Sequence, residues 1–184
     1  MDHQEIAQLL GSYGEFIGAI AVVLTLGYLA VQVRQNTHQI QSNATSVEAS
    51  TYQSLMAHII DLNRGLAADP ELSDIVVKAR GGEIPSGSAM TRFVQYHMAL
   101  LRYGDMAFHQ YEKGLLDERR LRSAFGPVRG QVAGNEAAMQ VFRWAVEQGS
   151  FVDEYVDFCR RDFEGFKSVG PVDDFVNRAR RIDA

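Results

Sequence analysis

The stretch Phe16–Val33 reads FIGAIAVVLTLGYLAVQV, 18 consecutive residues without a charged side chain. No other run of that length lacks charge. Eighteen to twenty helical residues span about 30 Å, the thickness of a bilayer's hydrocarbon core. Three readings compete for it. A cleaved signal peptide begins with a positive n-region and ends in a small-residue cleavage site. Residues 1–15 hold no Lys or Arg but do hold Asp2, Glu5 and Glu15, and no A-x-A site follows. A buried core helix stays open, because Gly18, Gly27 and Thr25 moderate the run. A transmembrane anchor fits the length and composition best.

Working outward, all 18 Lys and Arg residues follow the run, starting with Arg34. The positive-inside rule therefore places the N-terminus outside and residues 34–184 in the cytoplasm. Tyr13 and Phe16 would mark the outer interface and Tyr28 the inner side. The single cysteine, Cys159, agrees with a reducing compartment, and its neighbours Phe158 and Phe163 point to a half-buried structural thiol.

Beyond the run the chain is expected to be all-helical, since no stretch alternates with period two. Asp69-Pro70 is a helix start, with Asp as N-cap and Pro in the first turn, and Gly81-Gly82 a stop. A long helix over about 89–113 gathers Phe93, Val94, His97, Leu100, Leu101, Gly104 and Phe108 on one face. Asp117 caps the next, which Gly126-Pro127 should kink or break. Asn135 caps EAAMQVFRWAVEQ, and Ser150 with Asp153 resembles a capping box. After Gly170-Pro171 a last amphipathic helix presents Val172, Phe175, Val176, Ala179 and Ile182.

The intervening segment, 34–54, is rich in Gln, Asn, Ser and Thr and holds no helix breaker. The membrane helix should continue through it as a stalk to Ala68, with one thin apolar stripe of Ile40, Ala44, Val47, Thr51, Leu55, Ile59, Leu62 and Leu66. The expected organisation is an acidic extracytoplasmic tail (1–15), a transmembrane helix (16–33), a polar helical stalk (34–68) and a cytoplasmic helical bundle (69–184).

A second stripe runs along the same helix. Gly11, Gly14, Gly18, Ala21, Thr25, Tyr28, Gln32, Gln35 and Gln39 step by three and four, and Ser42, Ser46 and Ala49 continue them. Small residues let membrane helices approach closely, and Gly14-x-x-x-Gly18 has the spacing for it. Gln32 is costly facing lipid, so it should face a helix or water. The stripe is thus a candidate self-association seam. In a wide bundle its Thr and Gln rings would line a water-filled path.

Enzymatic chemistry finds little support. Asp105, His109 and Glu112 share a helix face, and His58 and Asp61 lie one turn apart, but paired Glu-x-x-His motifs are missing. No G-x-S-x-G, Walker A or H-E-x-x-H is present. No cofactor or metal is expected. The chain carries 18 basic and 23 acidic residues, which argues against nucleic acid as a partner.

The segment Gly14–Thr37, GEFIGAIAVVLTLGYLAVQVRQNT, resembles the start of a group of uncharacterised bacterial single-pass membrane-anchored helical proteins. They share a short acidic tail, one membrane helix ending in an L-A-x-Q-x-R-Q-N-T-like edge, and a helical domain. The resemblance implies a bacterial inner-membrane location and brings no functional residues with it. The expected partners are the lipid bilayer and either further copies of the chain or a larger membrane complex. The expected role is non-enzymatic: a self-associating scaffold or assembly module, with an accessory subunit or a small homo-oligomeric channel as alternatives.

Overall fold

The computed structural model describes residues 3–166. The amphipathic helix expected beyond Gly170-Pro171 lies outside the described residues. Among the described residues there are six helices and no strand: α1 His3–Ala68, α2 Pro70–Arg80, α3 Gly87–Glu112, α4 Glu118–Val132, α5 Glu136–Glu147 and α6 Asp153–Glu164. The chain divides into two compact units, 1–47 and 48–184.

In the second unit α3 packs against α2, α4 and α5. Its buried residues recur at helical spacing, Phe93, Tyr96, His97, Leu100, Leu101, Gly104, Ala107 and Phe108. Leu55 and Ile59 of α1 are buried in this core, and Leu62 and Leu66 pack against it. The apolar stripe from Leu55 onward is therefore a packing face. Glu48 pairs with Arg120 of α4, whose guanidinium also sits 5.7 Å from the centre of the Tyr52 ring.

Helix α6 is tied down at two points. The Tyr155 hydroxyl donates to the Leu101 carbonyl at 2.8 Å. Gly104 makes room for it: a Cβ there would lie 2.9 Å from Phe125 Cε2 and closer still to the Tyr155 hydroxyl. At the other point, Arg129 forks onto Asp162 with two bonds of 2.5 Å in a half-buried setting. Between them Phe125 meets Phe158 edge-on at 4.8 Å and stacks on Phe163 at 6.0 Å.

The cap residues act as their chemistry predicts. Asp69 accepts from Leu72 N at 3.0 Å, Asp117 from Arg120 N at 2.7 Å and Asn135 from Ala138 N at 3.3 Å. Helix α3 closes at Gly114 (φ 70°), the left-handed conformation glycine supplies without strain.

Three expectations are corrected. Of the kink or break expected at Gly126-Pro127, the break is absent, because α4 runs through Pro127 to Val132. An interior proline costs about 3 kcal/mol. The buried face of Leu121, Ala124, Phe125, Val128 and Val132 outweighs that, at roughly 1.5–3 kcal/mol per large side chain. Ser150 is no capping-box residue: α6 begins at Asp153 after Val152, and Ser150 N instead donates to Ala145 O at 3.0 Å, closing α5. Cys159 is fully buried rather than half-buried.

Candidate functional site

The first unit holds the surface that most needs explaining. Within Tyr13–Ala68 lies a stretch long and apolar enough to cross a membrane, and none of that stretch is buried. Twelve large apolar side chains between Tyr13 and Val33 are exposed, among them Phe16, Ile20, Val23, Leu24 and Leu29. Consecutive residues step about 100° around a helix, so these side chains cover every side of it. A helix apolar all round is either a core helix or a membrane span. The described residues provide no core for it. At roughly 1.5–3 kcal/mol for each side chain, removing this surface from water is worth on the order of 20 kcal/mol before the opposing costs of burying the backbone and ordering the chain. That exceeds the net stability of a typical domain, about 5–15 kcal/mol.

The seam residues Gly11, Gly14, Gly18, Ala21, Thr25, Gln32, Gln35 and Gln39 all lie on α1, and all are exposed. A Cβ at Gly11, Gly14 or Gly18 would meet nothing within 4 Å, so no contact among the described residues requires glycine there. The Thr25 hydroxyl donates to the Ala21 carbonyl at 2.7 Å. That bond satisfies its proton within the helix, so Thr25 can face lipid or another helix without a polar partner. A stripe of period 3.5 drifts about 20° per heptad on an uncoiled helix, so these residues stay in one line only if α1 supercoils.

Below the apolar stretch the character of α1 changes. No charged residue stands between Arg34 and Glu48. Asn36, Thr37, Ser42, Asn43, Thr45 and Ser46 are weak helix formers, together about 3 kcal/mol less favourable than alanine. Without charges, no i,i+4 ion pairs offset that deficit. Three hydroxyls turn back onto their own helix: Thr37 to Val33 O, Thr45 to Gln41 O and Ser46 to Ser42 O. In this polar setting Ile40 stands 69% exposed and Val47 49%.

Among the described residues of the second unit is an apolar groove, about 270 Å³, lined by Ile84, Met90, Phe93, Val94, Val141 and Trp144. Ile84 and Trp144 are well exposed on it. Its volume lies just below the usual range for ligand pockets. Sequence reasoning missed this groove because its walls come from three elements: the loop after α2, α3 and α5. An exposed lone tryptophan on a polar helix face was the available signal.

The titratable residues read as structural. His97 is fully buried, with Nδ1 2.9 Å from the Phe93 carbonyl, which calls for the Nδ1-protonated tautomer. Its ring lies 4.1 Å from Phe93 and meets Tyr96 edge-on at 5.1 Å. Burial lowers its pKa to about 4, so it is neutral at ordinary pH. Burial likewise pushes the Cys159 thiol up to about 12, far from a nucleophilic thiolate. Partial burial raises the Asp105 carboxyl, against the opposing pull of Arg102 at 3.8 Å. Among the described residues no three His, Cys, Asp or Glu side chains group so as to hold a metal.

No family model, curated protein or solved structure matches this chain.

Proposed function

We propose that this chain is a non-enzymatic, membrane-anchored scaffold or assembly module that self-associates through α1. Its span crosses the bacterial inner membrane once, with the N-terminus outside and the helical unit in the cytoplasm. The observation that carries the reading is the exposed apolar surface between Tyr13 and Val33, which water does not tolerate and a bilayer does. The placement of every Lys and Arg after the span supports the orientation. Gly14 and Gly18, with open space at both Cβ positions, are the residues at which two copies would approach within the bilayer.

The test is alkaline carbonate extraction of cell membranes, followed by protease treatment of spheroplasts carrying tags at either end. The expected result is a chain in the pellet, its N-terminal tag cleaved and its C-terminal tag protected. A chain in the soluble fraction overturns the anchor. Native mass spectrometry after gentle extraction then tests self-association. A homo-oligomer of fixed count supports it. A complex with other subunits replaces the scaffold with an accessory role, and a bare monomer leaves a simple anchor.

A further inference from the structure

We infer that the chain's own segment 171–182, which lies outside the described residues, seats in a groove between α3, α4 and α6 of the helical unit. The groove is about 710 Å³ and its apolar lining comes from Phe108, Tyr111, Leu121, Phe158 and Phe166. Tyr111 is 38% exposed, and Phe158 and Phe166 are half-buried, so aromatic surface stays open to water there. Charged residues ring it. Arg122 pairs with Glu118 and Arg129 with Asp162. Among the described residues no ion pair engages the other two, Glu112 and Arg161, both exposed.

The occupant follows first from where the described chain stops. Gly165 and Phe166 are themselves part of the groove wall, and residues 167–184 continue from them. The link 167–170, fully extended, reaches about 13 Å, so Pro171 starts beside the groove. A short tether holds a segment at an effective concentration on the order of millimolar, which favours it over any free partner. The apolar pattern agrees. In a helix opened by Pro171, Val172, Phe175, Val176, Ala179 and Ile182 share one face. A helix so short is marginal in water by itself and needs a surface to pack on. Charge agrees too. Asp173 and Arg180 lie seven apart on one edge of that face and offer opposite signs to Arg161 and Glu112. The groove beside Trp144 is lined by neither a charged residue nor the end of α6.

The experiment is disulfide mapping of the full-length chain under mild oxidation. Cys159 is buried and stays in place, with the unsubstituted chain as background. Ala179→Cys is combined in turn with Glu118→Cys or Arg122→Cys on the proposed groove and with Gln140→Cys on the groove beside Trp144. The expected result is a bridge within one chain, at monomer mass, several-fold stronger with 118 or 122 than with 140. Arg161→Glu should weaken that bridge several-fold, and adding Asp173→Arg should restore it. Both positions of the swap lie off the core, Arg161 being exposed, so loss of folding does not mimic the effect. A stronger bridge with 140 overturns the proposal in favour of the other groove. A bridge between two chains overturns it in favour of a second copy. Bridging at background level with both 118 and 122, or a bridge indifferent to the Arg161→Glu and Asp173→Arg swap, also overturns it.

Discussion

The first unit and the helical unit are built from the same secondary structure, yet they treat apolar side chains in opposite ways. From Leu55 onward most large apolar residues are sorted: Leu55, Phe93, Leu101 and Phe125 are buried, and the charged residues stand outside. Between Tyr13 and Val33 nothing is sorted, and apolar residues face outward on all sides. Sorting is the signature of a chain that makes its own interior against water. Its absence is the signature of a chain whose surroundings supply the interior. The stretch from Arg34 to Val47 belongs to neither class, being polar, uncharged and crossed by a thin apolar stripe.

If the contrast holds, charge should act on the two regions differently. Each arginine at the centre of a membrane helix costs about 2.5–3.5 kcal/mol of insertion free energy. Val23→Arg together with Leu26→Arg should therefore cost about 6 kcal/mol and move the chain out of the carbonate-resistant pellet. The thermal transition of the helical unit should not change. A chain that stays in the membrane with both arginines would end the anchor reading.

Truncating an apolar residue gives the converse. Phe125→Ala removes a ring that touches Tyr155, Phe158 and Phe163 and should destabilise the helical unit by about 3–5 kcal/mol. Leu55→Ala should cost about 2–5 kcal/mol by the same mechanism. Val23→Ala should leave denaturant unfolding of the detergent-solubilised chain where it was. An equal loss from Val23→Ala would show that the span packs inside the fold after all.

Local chemistry explains what could be read from residues alone. Asp69, Asp117 and Asn135 cap their helices because a cap needs only a side-chain oxygen and an amide two or three residues away. The long helix over α3 was legible because its apolar period is strong. Pro127 does not break its helix because its penalty is local, while the burial of Phe125 and Val128 that outweighs it is tertiary. Ser150 was misread because two helix ends compete for the same few residues, and the closure of α5 takes its amide. The Tyr155 tether to Leu101 joins residues 54 positions apart, and no spacing rule reaches that far. Of the candidate site, the apolar run was plain in the sequence. The groove beside Trp144 was not, since it exists only where α3 and α5 come together.

Titration distinguishes the two regions next. His97 is neutral in the folded core, with its pKa lowered to about 4 by burial, whereas an unfolded histidine titrates near 6.5. The unfolded chain therefore binds more protons between these values, and stability falls as pH drops from about 6.5 to about 4. The separation corresponds to about 3 kcal/mol. Below pH 4 both states are protonated at this site and its contribution levels off. Unfolding free energy measured against pH should show this loss, and His97→Phe should flatten it. Parallel profiles for the native chain and His97→Phe would mean that His97 opens to solvent.

The smallest contrast concerns hydroxyl and carboxylate groups that bond the backbone. Asp69 accepts from Leu72 N and so satisfies an amide that has no partner inside α2. Ser46 donates to Ser42 O, a carbonyl that the helix already uses. The first bond fills a gap and the second duplicates one. Asp69→Ala should therefore cost about 1 kcal/mol, and loss of the ion pair with Arg92 at 3.3 Å, exposed enough to be worth only a few tenths, adds to that. Ser46→Ala should be neutral or slightly stabilising, since alanine is the better helix former. Both are read from denaturant midpoints in the same detergent. If Ser46→Ala instead destabilised the chain by as much as Asp69→Ala, its hydroxyl would have to meet a partner outside its own helix. The stalk would then be packed on its Gln and Ser side.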